Sequence, residues 1–427
     1  MKKVLIIGHF WPYHQGGSKR VIGLMKYLPE FGWEPIVITG VLQEKPNDKF
    51  RIIETPSCNA IELFKEKFHL NPKRSFQEQM GIPSIIRKRK KSFSTKIVKM
   101  FEAVISYPDI ESGWAPFALA AAEEIIKSEK IDAMISVWPI TANIIAERLY
   151  KKHNIPWIAD FPDLWAYTYA YSYGFIRRLF DIRLEKKTLK RATVLTTSSY
   201  PQEEILRKMH IGKPVQTILI GFNPDKVNEP PAELTKLFSI TYTGVFYGKE
   251  RNPSKFLIAL SQLLSEGLMD SCDIEVRFFG PKEDWIEREI VQYNLEGIVK
   301  QYGNVPWAEC LGKQYASQLL LHLNWENKKE KGAYSGKISE YLAARRPVLS
   351  VGGWGNDVIE ELFTETSVGD YCPQVEDVKK SLLRYYVEYK ETGKVSFRGD
   401  VDKINRHSYQ AMAKKFSEIL NGISSNL

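Results

Sequence analysis

The chain has 427 residues, enough for two or three domains, and 44% hydrophobic with 26% charged residues excludes a disordered or collagen-like polymer. The formal net charge is +9, and eleven Lys/Arg against two acids between Phe64 and Met100 account for all of it, so a local anionic partner is implied, not a protein coated in positive charge. Cys58, Cys272, Cys310 and Cys372 stand far apart with no CxxC pair, which argues against a zinc site and a secreted disulfide framework and for a reducing compartment.

The apolar run after Met1-Lys2-Lys3 stops at Gly8, too short for a signal core, and no stretch approaches the ~18 apolar residues of a membrane span. Residues 3–8 instead read as a strand buried on both faces. A loop with Pro12 and Gly16-Gly17 follows, and Ser18 caps a helix whose Val21, Leu24, Met25 and Leu28 recur at helical spacing. Residues 35–39 give the next strand, completing a βαβ unit. The alternation continues with helices over 118–128, 141–152, 175–191 and 200–210 and strands over 133–137, 157–160, 194–197 and 215–220. It pauses at Gly221-Phe222-Asn223-Pro224 and Pro230-Pro231, a linker. Beyond it the opening is restated: a strand over 239–245, a loop over 247–253 and a helix over 255–265. Strands over 275–279, 319–323, 348–351 and 368–371 follow, with helices between them, and a polar helix over 407–420 closes the chain. Two α/β halves therefore each open strand–loop–helix, and ligands of open parallel sheets bind at the carboxyl ends of the strands.

The strongest constellation runs from Ser335 to Leu349. Ser335-Gly336 opens a helix, whose free N–H groups and positive dipole end form an anion site. Lys337 adds a full charge, Glu340 is placed to accept a bidentate bond from vicinal hydroxyls, and Pro347 ends the helix before a buried strand. The alternative is an ordinary helix with a solvated Lys and Glu.

This stretch resembles the donor-binding helix of family-four glycosyltransferases. The likeness extends over most of the chain: Gly16-Gly17 with Arg20 resembles their N-terminal glycine loop and first helix. Ile220-Gly221-Phe222-Asn223-Pro224-Asp225 resembles their interdomain linker. Tyr242-Thr243-Gly244-Val245 with Lys249 and Arg251 resembles the strand and basic loop opening their second domain. Residues 159–165 are similar to those of members that build bacterial surface polysaccharides. The resemblance implies a GT-B fold and retaining, metal-independent transfer of a sugar from a nucleoside-diphosphate donor, a UDP-sugar first and a GDP- or dTDP-sugar next, with no cofactor. It implies that Glu340 holds the ribose hydroxyls and that the amides of Ser335, Gly336 and Lys337 meet the diphosphate. Lys249 and Arg251 would neutralise the leaving phosphates, and Gly16, Gly17 and Gly244 would let backbone approach the donor. One departure stands out: the family carries a Glu eight positions before the one matched by Glu340, and here that position is Gly332.

Other residues keep two readings. Asp160 and Asp163 follow a strand and either orient an acceptor hydroxyl, with Asp160 as a catalytic group, or cap the next helix. His9 either lines a cleft or is structural. Trp165, Tyr167, Tyr169, Tyr171 and Tyr173 either stack on sugar rings or pack. Asp400-Val401-Asp402 is read as a surface coincidence, and no metal site is expected. Arg87, Lys88, Arg89, Lys90 and Lys91, flanked by Ile82, Ile85, Ile86, Phe93 and Ile97, suit an anionic membrane surface, with a mobile loop as the alternative and no nucleic-acid partner expected.

The expected architecture is thus α/β: two Rossmann-like doubly wound parallel-sheet domains facing across a cleft (GT-B). Residues 1–221 form the acceptor side, with His9, Arg20, Asp163 and Trp165 towards acceptor or cleft, and residues 222–405 the nucleotide-sugar side. A helix over 406–427 would cross back to the first domain. The expected activity is transfer to a glycan or lipid-linked acceptor in surface polysaccharide biosynthesis, peripheral at the inner face of the cell membrane. The alternatives are a nucleotide-sugar epimerase or hydrolase of the same fold and a non-catalytic scaffold.

Overall fold

The computed structural model describes residues 1–9, 17–42, 50–57, 107–168, 171, 174–228, 232–248, 251–327, 334 and 336–425. They form two compact α/β units: Met1–Leu219 with Ala413–Leu427, and Ile220–Met412.

The first unit holds strands β1 (Lys2–Ile7), β2 (Trp33–Gly40), β3 (Ile52–Thr55), β4 (Ala133–Ser136), β5 (Trp157–Phe161), β6 (Val194–Thr197) and β7 (Val215–Thr217) in one sheet of order β3-β2-β1-β4-β5-β6-β7. Every pairing is parallel. Its helices are α1 (Gly17–Tyr27), α2 (Ala115–Ser128), α3 (Ile140–His153), α4 (Phe175–Leu189) and α5 (Tyr200–Met209). Val4, Leu5, Ile6 and Ile7 of β1 are all fully buried, as the unbroken apolar run requires of a central strand covered on both faces. Val21, Leu24, Met25 and Leu28 are likewise buried, so the helical spacing of these residues is the inward face of α1 and the turn after it.

The second unit repeats the plan. Strands β8 (Phe238–Thr243), β9 (Ile274–Phe279), β10 (Val299–Gly303), β11 (Leu319–Leu323), β12 (Val348–Val351) and β13 (Gly369–Cys372) lie in the order β10-β9-β8-β11-β12-β13, again all parallel. Helices α6 (Ser254–Ser265), α7 (Asp284–Gln292), α8 (Trp307–Tyr315), α9 (Gly336–Ala344), α10 (Val358–Thr366), α11 (Val375–Thr392) and α12 (Val401–Asn405) belong to this unit, and α13 (Tyr409–Ser424) begins in it and ends in the first. Strands β3 and β10, absent from the sequence-based expectation, are sheet-edge strands. They carry Glu54, Lys300 and Gln301 and are only partly buried, so neither presents a continuous apolar run.

One buried ion pair organises the first unit. Arg20 Nε lies 2.7 Å from Asp160 Oδ2, with both side chains 0% exposed. Arg20 Nη1 also donates to the Ile218 carbonyl at 2.7 Å, its guanidinium lies over the Phe416 ring at 5.1 Å, and Thr196 Oγ1 donates to Asp160 Oδ1 at 2.6 Å. Side chains from α1, β5, β6 and α13 thus meet around two mutually neutralised charges. Burial disfavours the Asp160 carboxylate and pushes its pKa up, while Arg20 opposes the shift. This corrects two expectations: Asp160 is not exposed to an acceptor hydroxyl, and Arg20 is not exposed to a cleft. Breaking such a pair on one side strands the partner's charge at about 3–5 kcal/mol. Asp160→Ala should therefore lower the urea midpoint by that amount of stability, measured by equilibrium unfolding.

Candidate functional site

In the second sheet the winding reverses between β8 and β11, and at such a switch point the two strand ends open a crevice for ligands. Helix α9 is pinned beneath this point. Tyr341 OH accepts the Thr243 N–H at 3.1 Å and donates to the Leu321 carbonyl at 3.2 Å, tying α9 to both strands. Lys337 lies one turn earlier on the same helix face. Its Nζ donates to Tyr242 OH at 2.6 Å and stands 4.4 Å from the centre of that ring, and Tyr242 OH in turn donates to the Val245 carbonyl at 2.8 Å. Burial, reinforced by the nearby Arg251 charge, brings the Lys337 pKa down to about 7. Burial holds the Tyr242 phenol far above its usual range, so it stays neutral.

Gly244 makes this arrangement possible. Its φ is +126°, and a Cβ there would sit 1.9 Å from Lys337 Cε and 2.4 Å from Nζ. Only glycine leaves the ammonium its path beside the end of β8.

Glu340 is held from α8. Trp307 Nε1 donates to its Oε1 at 3.2 Å and Gln314 Nε2 to its Oε2 at 3.0 Å, and the same Gln314 nitrogen reaches Thr243 Oγ1 at 2.9 Å. A donor on each oxygen fixes the plane of the carboxylate. The buried Arg251 guanidinium lies 4.4 Å from the Trp325 ring centre and 5.3 Å from that of Tyr247. His322, buried in β11, shares a hydrogen bond of 2.9 Å with Ser350 Oγ. Burial first, then Arg251 and Lys337, push its pKa well below the usual value, so it is neutral.

Sequence reasoning missed Trp307, Gln314, His322 and Trp325, and read Tyr242 only as part of the strand motif. Trp307 and Gln314 carried a readable signal, since a spacing of seven places them on one helix face. It also passed over the loop after β12. There Asn324 Nδ2 and Tyr371 OH both donate to Asp357 Oδ2, at 3.0 and 2.5 Å, and a Cβ on Gly353 would fall 2.2 Å from Tyr371 OH.

The remaining expected residues are distributed as follows. Gly336 begins α9 and Gly17 begins α1. Gly16, Lys249, Ser335, Gly332, Tyr169, Tyr173 and the segment Arg87, Lys88, Arg89, Lys90, Lys91 lie outside the described residues. His9 follows β1 at the first sheet's own switch point, with Nε2 3.3 Å from Glu111 Oε2 and its ring edge-on to Trp114. Burial lowers its pKa, against an opposing pull from Asp109. Asp163 is exposed just beyond β5. Trp165, expected towards acceptor or cleft, is instead a core residue of the first unit, because its large apolar surface is buried there. Asp400 caps α12, accepting the Lys403 N–H at 3.0 Å. Among the described residues no group of three or more His, Cys, Asp or Glu is arranged to hold a metal ion, and no helix is long and apolar enough to cross a membrane.

No protein-family model and no curated protein matches the chain. Solved structures do. HepE of Anabaena, crystallised with UDP and glucose, is 12% identical with a TM-score of 0.59, over 99% of this chain and 100% of that one. Sucrose-phosphate synthase of Thermosynechococcus elongatus is 14% identical at 0.60, over 100% of both chains. WaaG, a glycosyltransferase involved in lipopolysaccharide biosynthesis, is 13% identical at 0.55, over 99% of this chain and 100% of that one. With its two all-parallel α/β units, the chain has the two-domain Rossmann-like GT-B fold.

The Lys337 shift has a sign that can be checked. In the folded chain its pKa lies near 7, below the ordinary 10.5. Folding therefore expels a proton between those values, and stability rises with pH across that window. Below pH 7 the full penalty of the buried ammonium is present. Lys337→Met should be more stable than wild type at pH 6, with the gap closing towards pH 10, as measured by urea unfolding at both ends.

Proposed function

We propose that the protein is a retaining glycosyltransferase that moves a sugar from a nucleoside-diphosphate donor to a glycan or lipid-linked acceptor in surface polysaccharide biosynthesis. The observation that carries this reading is Glu340, clamped by Trp307 and Gln314 beside the low-pKa Lys337 at a switch point. A carboxylate fixed in this way accepts both hydroxyls of a ribose. The start of α9, with Gly336, offers backbone N–H groups and a dipole end to the diphosphate. Lys337 and Arg251, with Lys249 two positions earlier in the sequence, meet the charge that grows on the leaving diphosphate. Fixed cations in a site of low polarity lower that barrier without reorganising during the reaction. Anion binding restores the proton that burial removes from Lys337, so the group becomes a full cation only when the donor is in place. A UDP-sugar is the first donor to test, in keeping with the HepE complex with UDP and glucose. On this reading the chain meets the membrane peripherally, where a lipid-linked acceptor is presented.

A thermal-shift panel of UDP, GDP, dTDP, ADP and CMP tests the donor. One diphosphate should raise stability by about 2.7 kcal/mol at a hundred times its Kd. Stability unmoved by every nucleotide would count against a donor site and for a scaffold. For the nucleotide that responds, Glu340→Ala should weaken binding by about 1.5–3 kcal/mol, read by calorimetry, and unchanged affinity would remove Glu340 from the site. Turnover of the donor that ignores every added acceptor would favour the epimerase or hydrolase. Calorimetry at pH 8 in buffers of different ionisation enthalpy should also show proton uptake on binding, and its absence would separate Lys337 from the diphosphate.

A further inference from the structure

Helix α4 presents an outward face that its own unit does not use. At about 100° per residue, Phe175, Ile176, Leu179, Phe180, Arg183, Lys186, Lys187 and Lys190 fall within an arc of about 140°. The four apolar residues of this stripe are 75, 73, 45 and 56% exposed, and all four cations are exposed too. No acid interrupts it. The acids of the helix, Asp181 and Glu185, point the opposite way and are buried. Asp181 pairs with Arg177 Nε at 3.2 Å and with Tyr171. Glu185 pairs with His210 at 3.1 Å and accepts the Ala166 N–H at 2.9 Å. Arg177 is held further by the Pro108 carbonyl at 2.7 Å. The helix is therefore clamped from behind: both acids and the bonded Arg177 and Arg178 lie away from the stripe, and the stripe itself carries only cations among its charges.

The stripe runs from bulky apolar residues at its N-terminal half to cations at its C-terminal half. There it meets a cavity of about 380 Å³ lined by Lys190, Arg191, Lys213, Tyr150, Ala192 and Thr193. Glu147, which pairs with Arg191, is also engaged by Lys151.

We infer that α4 is an interfacial helix that docks the first unit onto an anionic lipid bilayer. Phe175, Ile176, Leu179 and Phe180 enter the acyl boundary, while Arg183, Lys186, Lys187 and Lys190 lie among the headgroups. The cavity at the helix end receives a lipid phosphate. Charge complementarity selects this occupant: a second copy of the chain would bring the same cations face to face, whereas phospholipid phosphates neutralise them. This inference deepens the membrane contact proposed above by naming its surface, and it does not depend on the transfer reaction, because vesicle binding is read without turnover.

The test is flotation of the full chain with phosphatidylcholine vesicles and with vesicles containing 30% phosphatidylglycerol (on the order of a PG-rich leaflet). Wild type should float with the anionic vesicles and not with the neutral ones. Phe175→Ser with Phe180→Ser, and separately Arg183→Gln with Lys186→Gln and Lys187→Gln, should each weaken binding roughly tenfold or more while leaving the thermal midpoint unchanged, since all five side chains are exposed. Wild-type flotation that survives both sets of substitutions but falls when residues 87–91 are neutralised would overturn α4 and leave the membrane contact standing. Failure of wild type to float would overturn both. A dimer in light scattering that the Phe175/Phe180 variant dissociates would assign the face to a second copy and overturn the lipid.

Discussion

The ammonium of Lys337 is carried into surroundings that disfavour charge, and much of the second unit's switch point is arranged around that constraint. Gly244 gives up its side chain so that the lysine can pass. Tyr242 accepts one of its protons and hands its own to the Val245 carbonyl, leaving the lysine with a neutral partner. Tyr341, one turn further along α9, fixes the helix to the strands on both sides of the reversal, so the lysine cannot relax away. The result is a cation held ready and only partly charged. Such a group is a poor stabiliser of the free protein and a good receiver of an incoming anion.

The first unit handles buried charge in the opposite way. Arg20 and Asp160 face one another as a closed ion pair, and Thr196, the Ile218 carbonyl and the Phe416 ring supply further contacts. The contrast separates two uses of the same residue types. One charge is closed by an opposite charge, and the other, Lys337, is met beside the end of β8 by the neutral Tyr242 hydroxyl.

The sequence was most legible where burial is total. Strands β11 and β12 begin and end where they were read, because a strand covered on both faces is apolar at nearly every position, with only His322 and Ser350 as polar exceptions. Helix α9 was legible from the glycine at its start and Pro347 beyond its end. The edge strands β3 and β10 escaped notice because they are only partly buried and neither carries an unbroken apolar run. The pairing of Arg20 with Asp160 was illegible for a different reason: it joins distant parts of the chain, and no local period records it. Glu340 was read as a ligand-binding residue, but not its clamp, since Trp307 and Gln314 act from another helix. In α4 the amphipathic pattern was plain, yet both of its faces mix apolar and charged residues, and only the burial of Asp181 and Glu185 shows which side faces outward.

The division of α13 between the two units bears on how the protein is made. The first unit's structure includes Ala413–Leu427, and Phe416, Asn421 and Ser424 supply contacts to Arg20, Trp33 and Lys2. On the ribosome, the first unit's own strands emerge before Ile220, but these last contacts wait until the whole of Ile220–Met412 has been synthesised. At 5–20 residues per second that interval is roughly 10–40 s. Throughout it Arg20 lacks its aromatic cover and the Trp33 indole N–H its acceptor. The amino-terminal half is thus completed by the carboxyl terminus, and translation that stops short of α13 leaves the earliest-made part of the chain, not the latest, unfinished.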